Sequence, residues 1–185
     1  MTGLLDLLLA QALSTAPPAG APRVVAIDGP SGSGKTTLSQ HVADELAART
    51  GTRPHVVHMD DIFPGWDGLA EAVELVSGLV LEQLARGVDG GFHRWDWLAG
   101  ERAEWVEVPV AEWVVVEGVG CGSRRCRPHL SALAWVEADR DVRMARGLER
   151  DGESFRPHWE RWALQEDELF KAEDTRAHAD VILNT

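Results

Sequence analysis

The chain has 185 residues, 44% of them hydrophobic, with a formal net charge of −12 and a pI near 4.9. That size suits one folded core, the acidity works against binding a nucleic-acid backbone, and no segment approaches the roughly 18 apolar residues that a membrane span needs. Two cysteines, Cys121 and Cys126, are too few for a disulfide framework, and with His129 they make C-x4-C-x2-H, a metal pattern short of a fourth ligand. Reduced thiols and a cytoplasmic location are expected.

Residues 1–9 are apolar, but they lack a basic flank and Asp6 interrupts them, so they predict a short packed helix rather than a secretion signal. The Pro/Gly-rich connector 16–22 ends that helix. Residues 23–28 predict a strand, 29–36 a Gly-rich loop, 36–49 a helix and 55–59 a second short strand that runs into Asp60 and Asp61. Leu69, Val73, Val76, Val80 and Leu84 recur at helical spacing and predict a helix over 69–86. Residues 87–112 are Trp-rich, Gly-bearing and charged. Strands follow at 113–116, closed by Glu117 and Gly118, at 133–136 and at 181–183, with helices over 139–150 and 158–172. Short apolar strands alternating with helices predict a parallel sheet of five strands covered on both faces, in one domain spanning 1–185.

The loop carries G-x-x-x-x-G-K-[ST] at Gly29, Gly34, Lys35 and Thr36, with a strand before it and a helix after. Gly29, Gly32 and Gly34 let backbone N–H groups curl around an anion, with Ser31, Ser33 and Thr37 completing the loop, while the helix start offers unpaired N–H groups and a positive dipole end. Lys35 suits the β- and γ-phosphates of ATP, and Thr36 suits Mg²⁺. Only Lys35 and Lys171 are lysines among eighteen Lys and Arg residues, so a lysine kept in the loop stands out. A guanine-reading N-K-x-D is excluded, because the chain's one Asn is Asn184. A motor or transporter ATPase usually closes a later strand with Asp, and here Glu117 stands there.

With these motifs in place, the chain resembles the uridine kinase, phosphoribulokinase and nicotinamide riboside kinase group of P-loop kinases. The resemblance rests on the loop 28–37, on Met59-Asp60-Asp61-Ile62-Phe63, on Val116-Glu117-Gly118, and on residues 141–151, which are similar to the group's lid. It implies the three-layer α/β P-loop NTPase sandwich, ATP and Mg²⁺ as cofactors, and transfer of the γ-phosphoryl to a hydroxyl of a small molecule. By the chemistry of that transfer, Asp60 is the expected base or orienting carboxylate, with Asp61 as its rival for the role or a substrate contact, and Glu117 joins Thr36 on the metal. Arg143, Arg146 and Arg150 share a helix face within a lid over about 139–157 and are expected to clamp phosphate.

The acceptor side is expected in 87–112. Trp95, Asp96, Trp97 and Arg102 fall at the spacing of the uridine kinases' substrate stretch, but Gly100 stands where those kinases have a base-reading His, so the resemblance stops short of naming the acceptor. Trp66, Trp95 and Trp97 could stack on a ring, and Asp67 or Asp96 could hold a sugar hydroxyl; equally, several of the eight tryptophans must be core. The expected partner is a small-molecule phosphoryl acceptor, a nucleoside or related sugar-bearing compound, with neither nucleic acid nor membrane, and a homo-oligomer stays open. The competing reading is an ATP-binding or ATPase regulator without transfer activity.

Overall fold

The computed structural model describes residues 2–152 and 156–185. Five strands form one parallel sheet: β1 (Arg23–Asp28), β2 (His55–His58), β5 (Trp113–Glu117), β6 (Ala132–Glu137) and β7 (Val181–Asn184), in the spatial order β2-β5-β1-β6-β7. A parallel neighbour requires a crossover, and helices supply the crossovers while covering both faces.

Side-chain alternation along β1 and β5 divides the core in two. Val24, Ala26, Val114 and Val116 face one layer with Leu69, Val73, Val76, Val80, Leu84 and Trp162. Val25, Ile27, Trp113 and Val115 face the other with Leu8, Leu9, Leu38, Val42 and Leu46. The first layer is built by α3 (Leu69–Leu75), a π-helical stretch at Val76–Leu81, α4 (Glu82–Ala85) and α6 (Arg156–Glu173). The second is built by α1 (Thr2–Ser14) and α2 (Lys35–Thr50). The remaining helix, α5 (Arg140–Asp151), follows β6.

Three local features depart from the sequence reading. The strand expected over 55–59 ends at His58, and Met59–Asp61 form a single 3-10 turn that carries both acids. The helix expected over 69–86 runs to Ala85 and contains the π stretch, which widens the helix where Val76, Ser77, Val80 and Leu81 are buried. The mixed segment 87–112 is an antiparallel hairpin outside the main sheet, β3 (Gly90–Asp96) with β4 (Glu101–Val108), carrying an irregularity between His93 and Trp95. Of the lid expected over about 139–157, residues 153–155 lie outside the described residues.

Candidate active site

Register brings the chemistry-bearing groups to one edge of the sheet. β5 lies between β1 and β2, and Glu117 pairs with Ile27 on one side and with His58 on the other. The C-terminal ends of β1, β2 and β5 therefore deliver the Gly-rich loop, the Asp60/Asp61 turn and Glu117 to the same crevice, where open α/β sheets bind ligands.

The loop is tied down at every side. Gly32 has φ +77°, and a Cβ there would lie 2.3 Å from the Arg143 carbonyl oxygen; at Gly29, with φ +140°, a Cβ would lie 2.0 Å from the Val136 carbonyl oxygen. No other residue fits either backbone without rebuilding it. Ahead of the loop, the fully buried Asp28 accepts N–H bonds from Gly29 (2.7 Å), Gly120 (2.9 Å) and Gly122 (2.8 Å). Burial nevertheless pushes its pKa up to about 6, against the pull of those N–H groups and of the Lys35 charge. Lys35 is itself buried, and its Nζ donates to the Pro30 carbonyl at 3.0 Å.

Glu117, also buried, accepts from the Thr36 hydroxyl at 3.2 Å and from His58 Nδ1 at 2.6 Å. A hydroxyl and a carboxylate so close together are a donor set suited to a hard divalent cation such as Mg²⁺. His58 was not anticipated from the sequence, although its place opposite Glu117 at a strand end was a usable signal. The hydrogen bond to Glu117 raises its pKa, with burial opposing and the charges of Glu117, Asp61 and Asp60 assisting.

Two cavities meet at this edge. A smaller one, of about 200 Å³, is lined by the loop residues Ser31, Gly32, Gly34, Lys35, Thr36 and Thr37, together with Asp60, Glu117, Arg146 and Arg150. N–H groups and three cations converge here in a chain of net charge −12, which is the donor set a polyphosphate requires. A larger one, of about 690 Å³, is walled by Phe63, Trp66, Trp97, His158 and Trp162 and floored by His58, Asp60, Asp61 and Glu117. Ser31, Thr36, Asp60, Glu117 and Arg150 border both.

The three lid arginines divide their duties. Arg150 approaches Asp60 at 3.8 Å where the cavities join, and Arg146 donates to Gly32 O (3.3 Å) and to Thr185 Oγ1 (2.8 Å), which in turn donates to Ser33 O (2.8 Å). Arg143 lines neither cavity. It donates to Ser31 O (3.3 Å) and Ala138 O (3.2 Å), lies over the Trp159 ring, and stands 3.7 Å from the buried Glu166. Their helix face is shared, but an α-helix advances about 1.5 Å per residue. Arg143 near the start of α5 thus meets the backbone of the loop, and Arg150 near its end meets Asp60. The structure places Arg143, expected to clamp phosphate, against the backbone of the loop and not on the border of either cavity.

On the acceptor side the hairpin residues separate as well. Trp97 lines the larger cavity, and its indole N–H donates to Asp60 O at 2.8 Å. Trp95 packs beside Gly65, and Asp96 caps the hairpin turn by accepting from Leu98 and Ala99 N–H, both at 2.9 Å, bonds that hold its carboxyl below the usual range. Arg102 pairs with Glu71 on the surface at 2.6 Å, and Asp67 pairs with Arg161. Trp95, Asp96 and Arg102 do not border the cavity, because the turn at 96–101 directs Asp96 to its own backbone and β4 carries Arg102 outward. Trp66 does border it, stacked on His158 with ring centroids 4.5 Å apart and planes 4° apart. His158 and Trp162 were missed by the sequence reading because helix α6 brings them in from far along the chain. Cys121 and Cys126 are buried thiols, and burial pushes the second up to about 12 and the first well above its ordinary value, which disfavours the reactive thiolate.

The sheet order, the strand–loop–helix at β1 and the crevice beyond the strand ends together define a P-loop NTPase-type α/β fold. No protein-family model and no curated protein sequence matches the chain. Among solved structures, a possible uridine kinase from Bacillus stearothermophilus superposes with TM-score 0.68 at 22% identity over 98% of each chain. A fructose transport system kinase candidate from Silicibacter superposes with TM-score 0.63 at 20% identity over 97% of this chain and 98% of its own. D-glycerate 3-kinase from Cryptococcus neoformans gives 0.61 at 14% identity over 91% and 87%. The chain has the fold of the uridine kinase-like P-loop kinases, and likeness at these identities is a statement about fold.

Proposed function

We propose that this protein is a small-molecule kinase that transfers the γ-phosphoryl of ATP to a hydroxyl of a sugar-bearing acceptor such as a nucleoside. The observation that carries the reading is the shared border of the two cavities: a polyphosphate-type cavity and an aromatic-walled cavity large enough for a metabolite join at Asp60, Glu117, Thr36 and Arg150. A simple nucleotide binder or hydrolase needs only the first.

Bound Mg·ATP supplies the phosphoryl group and a counter-charge for it. Thr36 and Glu117 are the residues suited to hold Mg²⁺, and the loop with Lys35 suits the phosphates. Asp60 sits where an acceptor hydroxyl in the larger cavity would meet the smaller one. From there its carboxylate can orient that hydroxyl and take its proton at an Oδ atom. Arg150 and Arg146 offset charge that develops on the transferring oxygens. Trp66, Trp97 and Trp162 exclude water and offer ring faces to the acceptor. Phosphoryl transfer asks mainly for such positioning and neutralisation.

The test is a screen of nucleosides, sugars and sugar-like vitamins for acceptor-dependent ADP release in the presence of Mg²⁺. Release stimulated by one acceptor class supports the proposal. Steady hydrolysis that no acceptor stimulates supports the ATPase regulator instead.

A further inference from the structure

Glu166 is a buried charged residue that this reading does not use. It lies on α6, 2% exposed, far in sequence from the loop. Its Oε1 accepts the backbone N–H of Ser31, in the middle of the Gly-rich loop, at 2.8 Å, and the indole N–H of Trp162, one helical turn back, at 2.8 Å. The same indole N–H reaches Ser31 Oγ at 2.9 Å. Oε2 stands 3.7 Å from Arg143, which itself donates to Ser31 O. Ser31 is thus held through its N–H, its carbonyl and its hydroxyl by one carboxylate and that carboxylate's partners.

Trp162 is the other half of the device. Its ring meets Phe63 edge-on with centroids 4.8 Å apart and Trp66 at 6.1 Å, and all three wall the larger cavity. Trp162 does not border the smaller cavity, whereas Ser31 borders both. A ligand that shifts Ser31 must therefore strain or re-aim the bond to Glu166, and the bifurcated indole N–H carries that change into the wall of the neighbouring cavity. A buried carboxylate is costly unless fully partnered, and an apolar residue on α6 would fill the same space. Keeping a charge at this position makes sense when it sets the backbone of the loop before ligand arrives, because preorganised loops lose less freedom on binding.

We propose that Glu166 is a positioning residue: it presets the phosphate loop through Ser31 and couples nucleotide occupancy to the Trp162 wall of the acceptor cavity. This rests on the loop being a nucleotide site, as proposed above, and needs no knowledge of the acceptor.

The experiment titrates the full chain with Mg²⁺ and a non-hydrolysable ATP analogue, reading affinity by calorimetry and the indole N–H resonances of ¹⁵N-tryptophan-labelled protein, with the Trp162 peak assigned by Trp162→Phe. The expected result is that saturating nucleotide moves the Trp162 peak. Glu166→Ala is expected to weaken nucleotide affinity about tenfold, and Glu166→Gln, whose amide oxygen can still accept the Ser31 N–H, to recover to within about threefold of wild type. If Glu166→Ala fails to fold, the wild-type peak and Glu166→Gln carry the test. A Trp162 peak that stays put while calorimetry shows binding overturns the coupling, and unchanged affinity in Glu166→Ala overturns the positioning. Absence of nucleotide binding by the wild type overturns the reading of the loop itself, a different failure visible in the first titration.

Discussion

The Asp60 carboxylate and the Arg150 guanidinium face each other at 3.8 Å across the junction of the two cavities, one from the turn after β2 and the other from the last turn of α5. Both side chains are more than half exposed, so the pair contributes little to stability. Its significance is positional, since in the proposed reaction a carboxylate and a guanidinium meet where an acceptor hydroxyl and a phosphoryl group would meet.

Asp60→Asn keeps the shape of the side chain and removes the proton acceptor. Acceptor-dependent turnover should fall by a factor of about 100 or more, while nucleotide affinity measured by calorimetry stays within about threefold. Turnover equal to wild type would remove Asp60 from the chemistry.

Lys35→Ala deletes a buried cation that borders the polyphosphate-type cavity. Nucleotide affinity, turnover or both should drop at least tenfold, on the scale of a charge-assisted hydrogen bond. A variant with both at wild-type level contradicts the assignment of the loop.

Gly32→Ala tests the fold around the loop without touching charge. The new Cβ would collide with the Arg143 carbonyl oxygen at a left-handed backbone position, so the substitution should cost at least about 2 kcal/mol. Chemical denaturation with a matched Gly100→Ala control, where a Cβ meets open space at a similar φ, separates the collision from the backbone preference.

The hairpin and the cavity make opposite forecasts for two neighbours. Trp97→Ala should raise the acceptor KM about tenfold, in keeping with loss of an aromatic wall, whereas Asp96→Ala should lower thermal stability slightly and leave that KM within about twofold. A large KM effect from Asp96 alone would place the acceptor on the hairpin rather than in the cavity.

His58 supplies the pH forecast. Its bond to Glu117 raises the folded pKa above the ordinary 6.5, so the stability that its protonated form contributes is fully present below 6.5 and is lost as pH rises through the higher, folded value. The ring resonances should titrate above 6.5 in the wild type and move back toward 6.5 in Glu117→Gln. A His58 that titrates at the same pH in both proteins would show that Glu117 is not its partner.

Much of this arrangement was legible in the chain, and what was not has a physical reason. The loop and the strand ends are local features: Lys35, Thr36, Asp60 and Glu117 each follow an apolar run whose direction fixes the edge they reach. The periodicity of 143, 146 and 150 gave the shared face but not the axial offset that sends Arg143 to the loop backbone and Arg150 to Asp60. In 87–112 the spacing matched a substrate stretch, yet a tight turn between β3 and β4 consumes Asp96 as its own cap and leaves Trp97 to the cavity. Glu166, His158 and Trp162 were invisible because nothing near them in sequence marks them, and only the docking of α6 against the loop and Phe63 assigns their role.

β1 lies at the centre of the sheet, and both strands that flank it come later in the chain, β5 beginning at Trp113 and β6 at Ala132. Non-local pairing of this kind has a loop-closure cost before any contact rewards it. The strand that carries the Gly-rich loop therefore gains its neighbours only once β5 and β6 have followed it, about 90 and 110 residues further along the chain. During synthesis β1 precedes both of its partners, and its two edges stay open until they emerge.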